Sequence, residues 1–194
     1  MNAPAAGVPR RTSARNKRTL VLLAAIALAP VVLSYAAYYF WPRDAGVNYG
    51  ALIASRTLAP IAGTRLDGTP FDVAALKGRW IVLYAAPGAC PQACASALYA
   101  TRQARTIQNA ERERIVRVWL VDDAASPPAT LLAQHPDLAA VRVDARTVGE
   151  LPLGGDRIYL VDPLGNFVLA WPSNPDIKAM AKDLGRLLRA SSIG

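Results

Sequence analysis

The chain has 194 residues, with 22 lysines and arginines against 14 aspartates and glutamates, and a formal net charge of +8. Hydrophobic residues make up 53% of it, charged residues 19%, and the mean hydropathy is +0.19. This composition excludes a disordered, collagen-like or disulfide-dense protein, and the length suits one globular domain with appendages. Two cysteines and one histidine are too few for an ordinary four-ligand structural zinc site.

The basic excess is concentrated at the N-terminus. Residues 1–19 contain five basic residues and no acidic one, so they supply most of the net positive charge. The rest of the chain has no basic patch with interleaved aromatic residues. The sequence therefore does not favour a nucleic-acid partner, although its pI is high.

An uncharged segment, Leu20–Trp41, follows this basic stretch. As a helix its 22 residues would extend roughly 30 Å, which is enough to cross the hydrocarbon core of a bilayer. Tyrosines and Trp41 cluster at its far end, as in an interfacial aromatic belt, and transmembrane helices tolerate a proline such as Pro30. We therefore expect residues 1–19 to form a basic cytoplasmic tail and residues 20–41 a transmembrane anchor.

The positive-inside rule orients this anchor. It predicts a single-pass protein of the inner (cytoplasmic) membrane, with a cytoplasmic N-terminus and a periplasmic C-terminal domain. A cleaved signal peptide is the alternative, but its apolar core is normally about 7–15 residues long. The longer run here and its bulky aromatic end favour an uncleaved anchor. The twin arginine Arg10-Arg11 is not followed by a strong export signal.

Residues 42–58 are predicted to be a linker and residues 59–194 a single globular domain. Hydrophobic periodicity, turn residues and caps predict its elements in chain order. These are a turn at Leu66–Thr69, a one-turn helix at Phe71–Leu76, a buried strand at Trp80–Ala85, a helix over Pro91–Glu113, a strand at Ile115–Val121, a short helix capped by Ser126 and ending at Gln134, a brief strand at Val141–Val143, a strand at Ile158–Val161, an antiparallel strand at Asn166–Trp171, and an amphipathic helix over Pro175–Ala190.

Strands and helices alternate in this order, and the chain ends in a hairpin and a helix. Alternation of this kind calls for a largely parallel core with helices on both faces. The predicted fold class is α/β: a thioredoxin-like sandwich, in which helices flank a central mixed sheet, preceded by one N-terminal transmembrane helix.

Both cysteines lie in the segment Cys90-Pro91-Gln92-Ala93-Cys94, between a buried strand and a helix. The N-terminal end of a helix favours a thiolate. If the segment is helical from Cys90, the two Cα atoms are about 6 Å apart and both side chains lie on one side. This spacing fits a redox disulfide or two thiolates around a soft cation such as copper(I). A merely stabilising disulfide remains an alternative, although closing so short a loop adds little stability.

Other candidate residues have simpler interpretations. His135 is predicted to end a short surface helix as a solvated residue and not to be a metal ligand. Asp122 and Asp123 are expected to cap a turn or to bind water, and Trp119 and Trp171 to pack in the core. Four arginines of the long helix and its end are expected to form a solvated face, with a docking patch for an acidic partner as the less favoured alternative: Arg102, Arg105, Arg112 and Arg114.

Two segments carry a resemblance to a known family. GTRLDGTPFDVAALKGRWIVLYAAPGACPQACASAL, followed by RIYLVDPLGNFV, is similar to the Sco/SenC family of cytochrome c oxidase assembly proteins. The resemblance extends over roughly Leu66 to Arg189. It implies an anchored thioredoxin-like protein that handles copper(I) or reduces thiols while the copper centre of the oxidase is assembled.

The resemblance implies that Cys90 and Cys94 are redox-active residues and copper ligands. The family's third ligand is a histidine just before the strand that begins here near Ile158. This sequence has Gly154-Gly155-Asp156-Arg157 there, so a third ligand is unknown. It also has Ala95 where the family usually has proline, and Gln92 where an acidic residue is usual.

The resulting hypothesis is an assembly factor that acts by thiol–disulfide exchange or copper(I) relay. Cys90 would attack and Cys94 would resolve the mixed disulfide. Its enzymatic activity would be at most that of a thiol–disulfide oxidoreductase. The implied partners are the copper-bearing oxidase subunit or another assembly factor, and the lipid bilayer. The alternatives are a non-catalytic Sco-like interaction protein and a general periplasmic thiol–disulfide reductase, which would usually carry CxxC.

Overall fold

The computed structural model describes residues 13–40 and 48–191. The chain divides into two compact units, 1–46 and 47–194, and each is described by itself. Helix α1, Ser13–Phe40, is the first unit's described part and contains Pro30. Its stretch Lys17–Tyr39 is long and apolar enough to cross a membrane, and its large apolar side chains from Leu20 to Leu33 are more than half exposed. Such a surface is suited to an apolar surrounding and not to water.

The second unit is built on one eight-stranded mixed sheet. Its strands are β1 Ala51–Thr57, β2 Ala62–Arg65, β3 Pro70–Asp72, β4 Trp80–Ala86, β5 Ile115–Val121, β6 Leu138–Arg142, β7 Arg157–Val161 and β8 Asn166–Pro172. They lie in the order β1-β8-β7-β4-β5-β6-β2-β3. Strands β4, β5 and β6 are parallel to one another, and the remaining neighbours are antiparallel.

Strand β4 is the centre of this sheet. All seven of its residues are buried, as expected for a continuous apolar run between Gly78 and Pro87. It pairs in parallel with β5, where Trp80 faces Ile115, and antiparallel with β7, where Tyr84 faces Ile158. Its alternating side chains supply a separate apolar core to each face of the sheet. The chain leaves its carboxyl end directly into the cysteine segment.

Helices cover both faces. They are α2 Gln92–Thr106, α3 Ala129–Gln134, α4 Ala145–Gly149 and α5 Ile177–Ala190, with 3-10 turns at Val73–Leu76 and Asn109–Arg114. Helices α2 and α5 pack against each other over one face. The opposite core includes residues of β3, the first 3-10 turn and α4. The predicted thioredoxin-like fold, a mixed sheet between helices, is therefore confirmed.

Some predicted boundaries differ from those observed. The helix predicted over Pro91–Glu113 ends at Thr106, because the chain must reverse to start β5 level with the start of β4. A left-handed residue, Asn109 with φ of 52°, opens the 3-10 turn that makes this reversal. Ser126 does not cap a helix: α3 begins after Pro128, because two consecutive prolines disfavour helical backbone before them.

The stretch expected to be a linker, 42–58, contains strand β1. This edge strand pairs with β8, where Ala51 faces Ala170, and it has little apolar patterning of its own. The short helix α4 also had no predicted counterpart. Trp41, the last residue of the expected anchor, lies outside the described residues, as do residues 1–12 of the expected basic tail.

A buried carboxylate holds the start of β1 against α5. Asp183, only 2% exposed, accepts hydrogen bonds from the backbone N–H groups of Tyr49 and Gly50 at 3.1 and 2.8 Å. It also accepts one from Trp171 Nε1 at 3.1 Å. A Cβ at Gly50 would lie 2.7 Å from that indole nitrogen, so the close approach requires glycine. The entry of the chain into the domain is thereby joined to its last helix.

We expect Asp183→Ala to lower the free energy of unfolding by about 3 kcal/mol, because two buried donors and one half-buried donor lose their acceptor. The measurement is chemical denaturation of the full chain in detergent micelles, followed by tryptophan fluorescence. Asp144→Ala removes an exposed cap whose carboxylate accepts from Arg146 N at 2.8 Å, and it should cost about 1 kcal/mol or less. Equal losses in the two variants would contradict this account.

Candidate functional site

The two cysteines form a disulfide at the carboxyl end of β4, with their Cα atoms 5.1 Å apart. Helix α2 begins at Gln92 with Pro91 as its N-cap, so Cys94 lies in its first turn and Cys90 just before it. Cys90 has φ of 43°, in the left-handed region, and its N–H donates to Pro87 O at 3.0 Å. The segment is therefore not helical from Cys90, but the two sulfurs still meet. A non-glycine residue in this region signals local backbone strain.

The disulfide is largely covered by the domain. Cys90 is 8% exposed and Cys94 2%, and both belong to the apolar cluster on the α2 and α5 side of the sheet. Cys90 is thus the more accessible of the two. An incoming thiolate or disulfide meets it first.

The loop before Cys90 is anchored to the end of the neighbouring strand. Asp123, after β5, accepts from Gly88 N at 2.8 Å and from Ala125 N at 3.1 Å through the same oxygen. A Cβ at Gly88 would lie 2.1 Å from Ala125 O. Trp119 Nε1 donates to Ala86 O at 3.1 Å from within the core. Asp123 therefore caps its turn, as expected, and in addition positions the cysteine loop.

The loop Gly154–Arg157, where the Sco/SenC proteins have their histidine ligand, is closely packed. Gly154 has φ of 82°, and a Cβ at Gly155 would lie 2.8 Å from Val148 Cγ1. The Tyr159 hydroxyl accepts from Leu153 N at 3.0 Å and donates to Gly154 O at 2.6 Å. This loop leads into β7 beside Tyr84, whose pKa is raised by burial and further by the Asp156 carboxylate. It offers a carboxylate near the end of β4 and no imidazole.

The metal chemistry of the site rests on the two sulfurs. Within 13–40 and 48–191, no three histidine, cysteine or acidic side chains come together in a way that would hold a metal. Reduced Cys90 and Cys94 are soft donors of the type that copper(I) prefers, whereas Asp156 is a hard one. The two sulfurs are thus donors of the type that copper(I) prefers, but the histidine that the Sco/SenC resemblance leads one to expect as third ligand is missing.

A network around the buried Arg117 joins strand β5 to helix α2. The sequence analysis did not predict it. Arg117 of β5, 1% exposed, donates to Leu98 O at 2.7 Å and to Thr101 Oγ1 at 2.9 Å, both in α2. Its guanidinium also pairs with Asp137 at 3.1 Å. Burial lowers the pKa of Arg117 to about 10, with Asp137 opposing, so the guanidinium remains charged at neutral pH. The sequence signal was one arginine inside the apolar strand IVRVWLV.

His135 belongs to this network. It was expected to be solvated, but it is 3% exposed, and its Nδ1 lies 3.5 Å from Arg117 Nη2. Burial, together with the charges of Arg117 and Arg102, lowers the pKa of His135 to about 4. The imidazole is therefore neutral at pH 7.

Three of the four arginines expected on a solvated face instead connect elements. Arg105 Nε donates to Ile115 O at 3.0 Å, and its guanidinium lies 3.4 Å from Asp137. Arg114 donates to Leu188 O and Ser191 O at the end of α5, and Arg102 donates to Gln134 O. Arg112 pairs with Glu113 at the surface. Three of the four thus contribute to packing, which sequence periodicity does not reveal.

A family model described as the transmembrane-like, thioredoxin-like, C-terminal domain matches residues 80–191. The chain belongs to this family. The match covers β4, the disulfide, α2 and everything up to the end of α5, so the site described above is part of the family domain. No curated protein matches the sequence.

Several solved structures share the fold of this transmembrane-like, thioredoxin-like family member. Yeast Sco1 with copper bound has a TM-score of 0.62 at 19% identity, covering 71% of this chain and 96% of that chain. Arabidopsis thaliana ScoI with copper bound has a TM-score of 0.57 at 19% identity, covering 70% and 100%. The thioredoxin domain of a thiol-disulfide oxidoreductase from Bacteroides vulgatus has a TM-score of 0.54 at 14% identity, covering 71% and 99%. The likeness to Sco proteins noted in the sequence is thus confirmed in the fold, together with the CxxxC spacing.

We expect Gly88→Ala to destabilise the oxidised domain by about 2 kcal/mol or more, because its methyl group would collide with the Ala125 carbonyl. Displacing this loop should also speed reduction of the disulfide by dithiothreitol. Gly149→Ala is the matched control, since nothing lies within 4 Å of the position that its methyl group would take and alanine favours helix α4. Unfolding curves and reduction rates that coincide for the two variants would refute the role given to Gly88.

The depressed pKa of His135 predicts acid sensitivity. The unfolded chain takes up this proton near pH 6.5 and the folded chain only near pH 4, so stability falls as pH decreases through this window. We expect a loss of about 1 kcal/mol between pH 6.5 and 5, and a flatter profile for His135→Gln. Although burial opposes it, Arg117 lowers the pKa of Asp137, which therefore stays ionised in this range. Parallel profiles for wild type and variant would contradict the prediction.

Proposed function

We propose that this protein is a membrane-anchored factor for assembly of the copper centre of cytochrome c oxidase, and that it acts by thiol–disulfide exchange through Cys90 and Cys94. The observation that carries the proposal is the disulfide at the start of α2. It lies at the carboxyl end of the central strand, in a fold shared with copper-bound Sco proteins and with a thiol-disulfide oxidoreductase.

The exchange needs a reduced pair. The Cys90 thiolate, on the more accessible residue and next to the N-terminal end of α2, attacks one sulfur of the target's disulfide and releases the other as a thiolate. The Cys94 thiolate then attacks the Cys90 sulfur, which leaves the Cys90–Cys94 disulfide and a reduced target. Two electrons pass to the target, and a dithiol reductant on the same side of the membrane restores the pair. The oxidase subunit's copper ligands would thus be kept as thiols.

Copper(I) relay through the same two sulfurs is the second candidate. It is favoured by the copper bound in the yeast and Arabidopsis proteins and by the soft donor pair. The loop at Gly154–Arg157, however, has no imidazole where the Sco/SenC proteins have their histidine ligand. We therefore place exchange first and treat copper(I) as cargo in the alternative.

We further propose the topology that the charge pattern predicts. Residues 1–19 would be cytoplasmic, residues 20–41 would cross the inner membrane, and the thioredoxin-like domain would be periplasmic. Support comes from the long apolar helix α1 and from the transmembrane-like family to which the domain belongs. The Cys90–Cys94 disulfide also fits an oxidising compartment such as the periplasm, where disulfides form and persist. Its reduction there requires a dedicated reductant.

The test is complementation of a strain that lacks the protein. Cys90→Ser and Cys94→Ser, alone and together, should lose most of the oxidase activity that depends on the copper centre, at unchanged protein levels. Ala93→Ser is the matched control, because it adds the same hydroxyl group at an exposed position between the cysteines. Full complementation by the cysteine variants would overturn the proposal. It would favour the non-catalytic interaction protein, whose binding to the oxidase subunit needs no thiol.

Copper(I) titration separates the two chemistries. The reduced full chain in detergent is titrated against a competing chelator, beside Cys90→Ser and the control His135→Gln. Tight one-to-one binding that only Cys90→Ser abolishes would establish the relay. No binding, together with reduction of a model disulfide by the dithiol, would establish exchange.

A further inference from the structure

The outer face of α5 is basic. Lys178, Lys182 and Arg189 are exposed, and their spacings of four and seven residues place them on one side of the helix. The one acidic residue within α5 is Asp183, which is buried and engaged by three donors. Apart from Asp176 at the N-cap, whose carboxylate accepts from Ala179 N, the exposed side of α5 therefore carries only positive charge.

One apolar and one aromatic side chain are exposed on the same side of the sheet as α5. Leu52 of β1 is 71% exposed and is paired with Leu169, whose side chain belongs to the core on the α2 and α5 side. Directly paired residues point to the same face, so Leu52 projects on the side of α5. Tyr49 is 42% exposed, and its hydroxyl accepts from Asp176 N at 3.0 Å. We call this set, Tyr49, Leu52, Lys178, Lys182 and Arg189, the α5 surface.

The α5 surface adjoins the point where the chain enters the domain. Arg186 donates to Asn48 Oδ1 at 2.9 Å, and Asp183 accepts from the two following backbone N–H groups. Seven residues, 41–47, separate Phe40 from Asn48, and even fully extended they bridge at most about 30 Å. If helix α1 spans a bilayer, the α5 surface is held within about one domain diameter of the lipid.

We propose that the α5 surface docks on anionic phospholipid of the membrane that holds helix α1. This inference rests on the membrane anchor of the proposed function. Cations beside an exposed leucine and tyrosine match the lipid interface, where charge meets headgroups and apolar groups enter the acyl boundary. An acidic protein would satisfy the three cations but not account for their position at the tether.

Docking of this surface would orient the disulfide. Ile158 of β7 pairs with both Tyr84 of β4 and Trp171 of β8, so the carboxyl ends of β4 and β8 lie at the same end of the sheet. The cysteine segment leaves β4 at this end, and Gly50 packs on Trp171 there. Tyr49 and Lys178, at the N-terminal part of α5, thus lie toward the end of the domain that holds the disulfide, whereas Arg189 lies toward the opposite end, near the start of β4. The preferred target is a membrane protein whose cysteines lie close to the bilayer surface.

The test uses the full chain in nanodiscs of phosphatidylcholine, or of equal parts phosphatidylcholine and phosphatidylglycerol. Exposed lysines are acylated briefly and quantified by mass spectrometry. We expect labelling of Lys178 and Lys182 to fall about threefold or more with the anionic lipid, and to recover in about 0.5 M salt. Lys77, exposed just before β4 at its opposite end, is the internal control and should not change.

Two variants sharpen the result. Arg189→Gln combined with Leu52→Ser should restore labelling of Lys178 and Lys182, whereas Arg146→Gln, an exposed cation on α4, should not. Equal labelling in the two lipids refutes docking and leaves the anchor intact. Protection that appears only on adding the oxidase subunit also refutes it and assigns the surface to a protein. Failure of the chain to enter nanodiscs refutes the anchor itself, while the cysteine complementation is read independently.

Discussion

The pairing of strand β4 on both sides organises this domain. The strand is buried on both faces, parallel to β5 and antiparallel to β7, so its carboxyl end has one defined position in the sheet. Each of the three strands contributes to what surrounds the cysteines there. β4 leads into the cysteine segment, β5 is followed by Asp123, and β7 begins after the loop that carries Asp156. The site is thus a consequence of strand register more than of the local sequence around the cysteines.

Polar groups refine what the apolar core establishes. Asp123 holds the loop before Cys90 by accepting from Gly88 N, and its own turn by accepting from Ala125 N. Arg117 holds α2 by its Leu98 carbonyl and Thr101 hydroxyl. A buried guanidinium is tolerable because Asp137 and α2 satisfy its donors. Such fully partnered groups limit how the helix and loop move against the sheet. In the proposed exchange, this support would keep Cys90 and Cys94 within reach of each other in both redox states.

The loop at Gly154–Arg157 distinguishes this protein chemically from the copper-binding pattern that its sequence resembles. Its backbone is committed to the Tyr159 hydroxyl and to contact with Val148, and it presents a carboxylate where an imidazole would be needed. In the proposed function, the lack of that donor is the reason for placing thiol–disulfide exchange before copper(I) relay. The proposed position of the domain against the membrane would bring this dithiol to targets at the bilayer surface.

Features that depend on local pattern could be predicted from the amino-acid sequence alone. They are the anchor-like helix, the apolar run of β4, the amphipathic α5 and the cysteine spacing at a helix start. Each of them follows from periodicity or from neighbours within one turn. Together they predicted the thioredoxin-like order and the candidate disulfide. Contacts within the folded domain set the remaining features. Edge strand β1 forms because β8 offers it a partner, and α2 ends at Thr106 because the chain must return to β5. His135 is buried because strand β5 brings Arg117 against it. These outcomes depend on contacts between residues distant in sequence, and no local pattern encodes them.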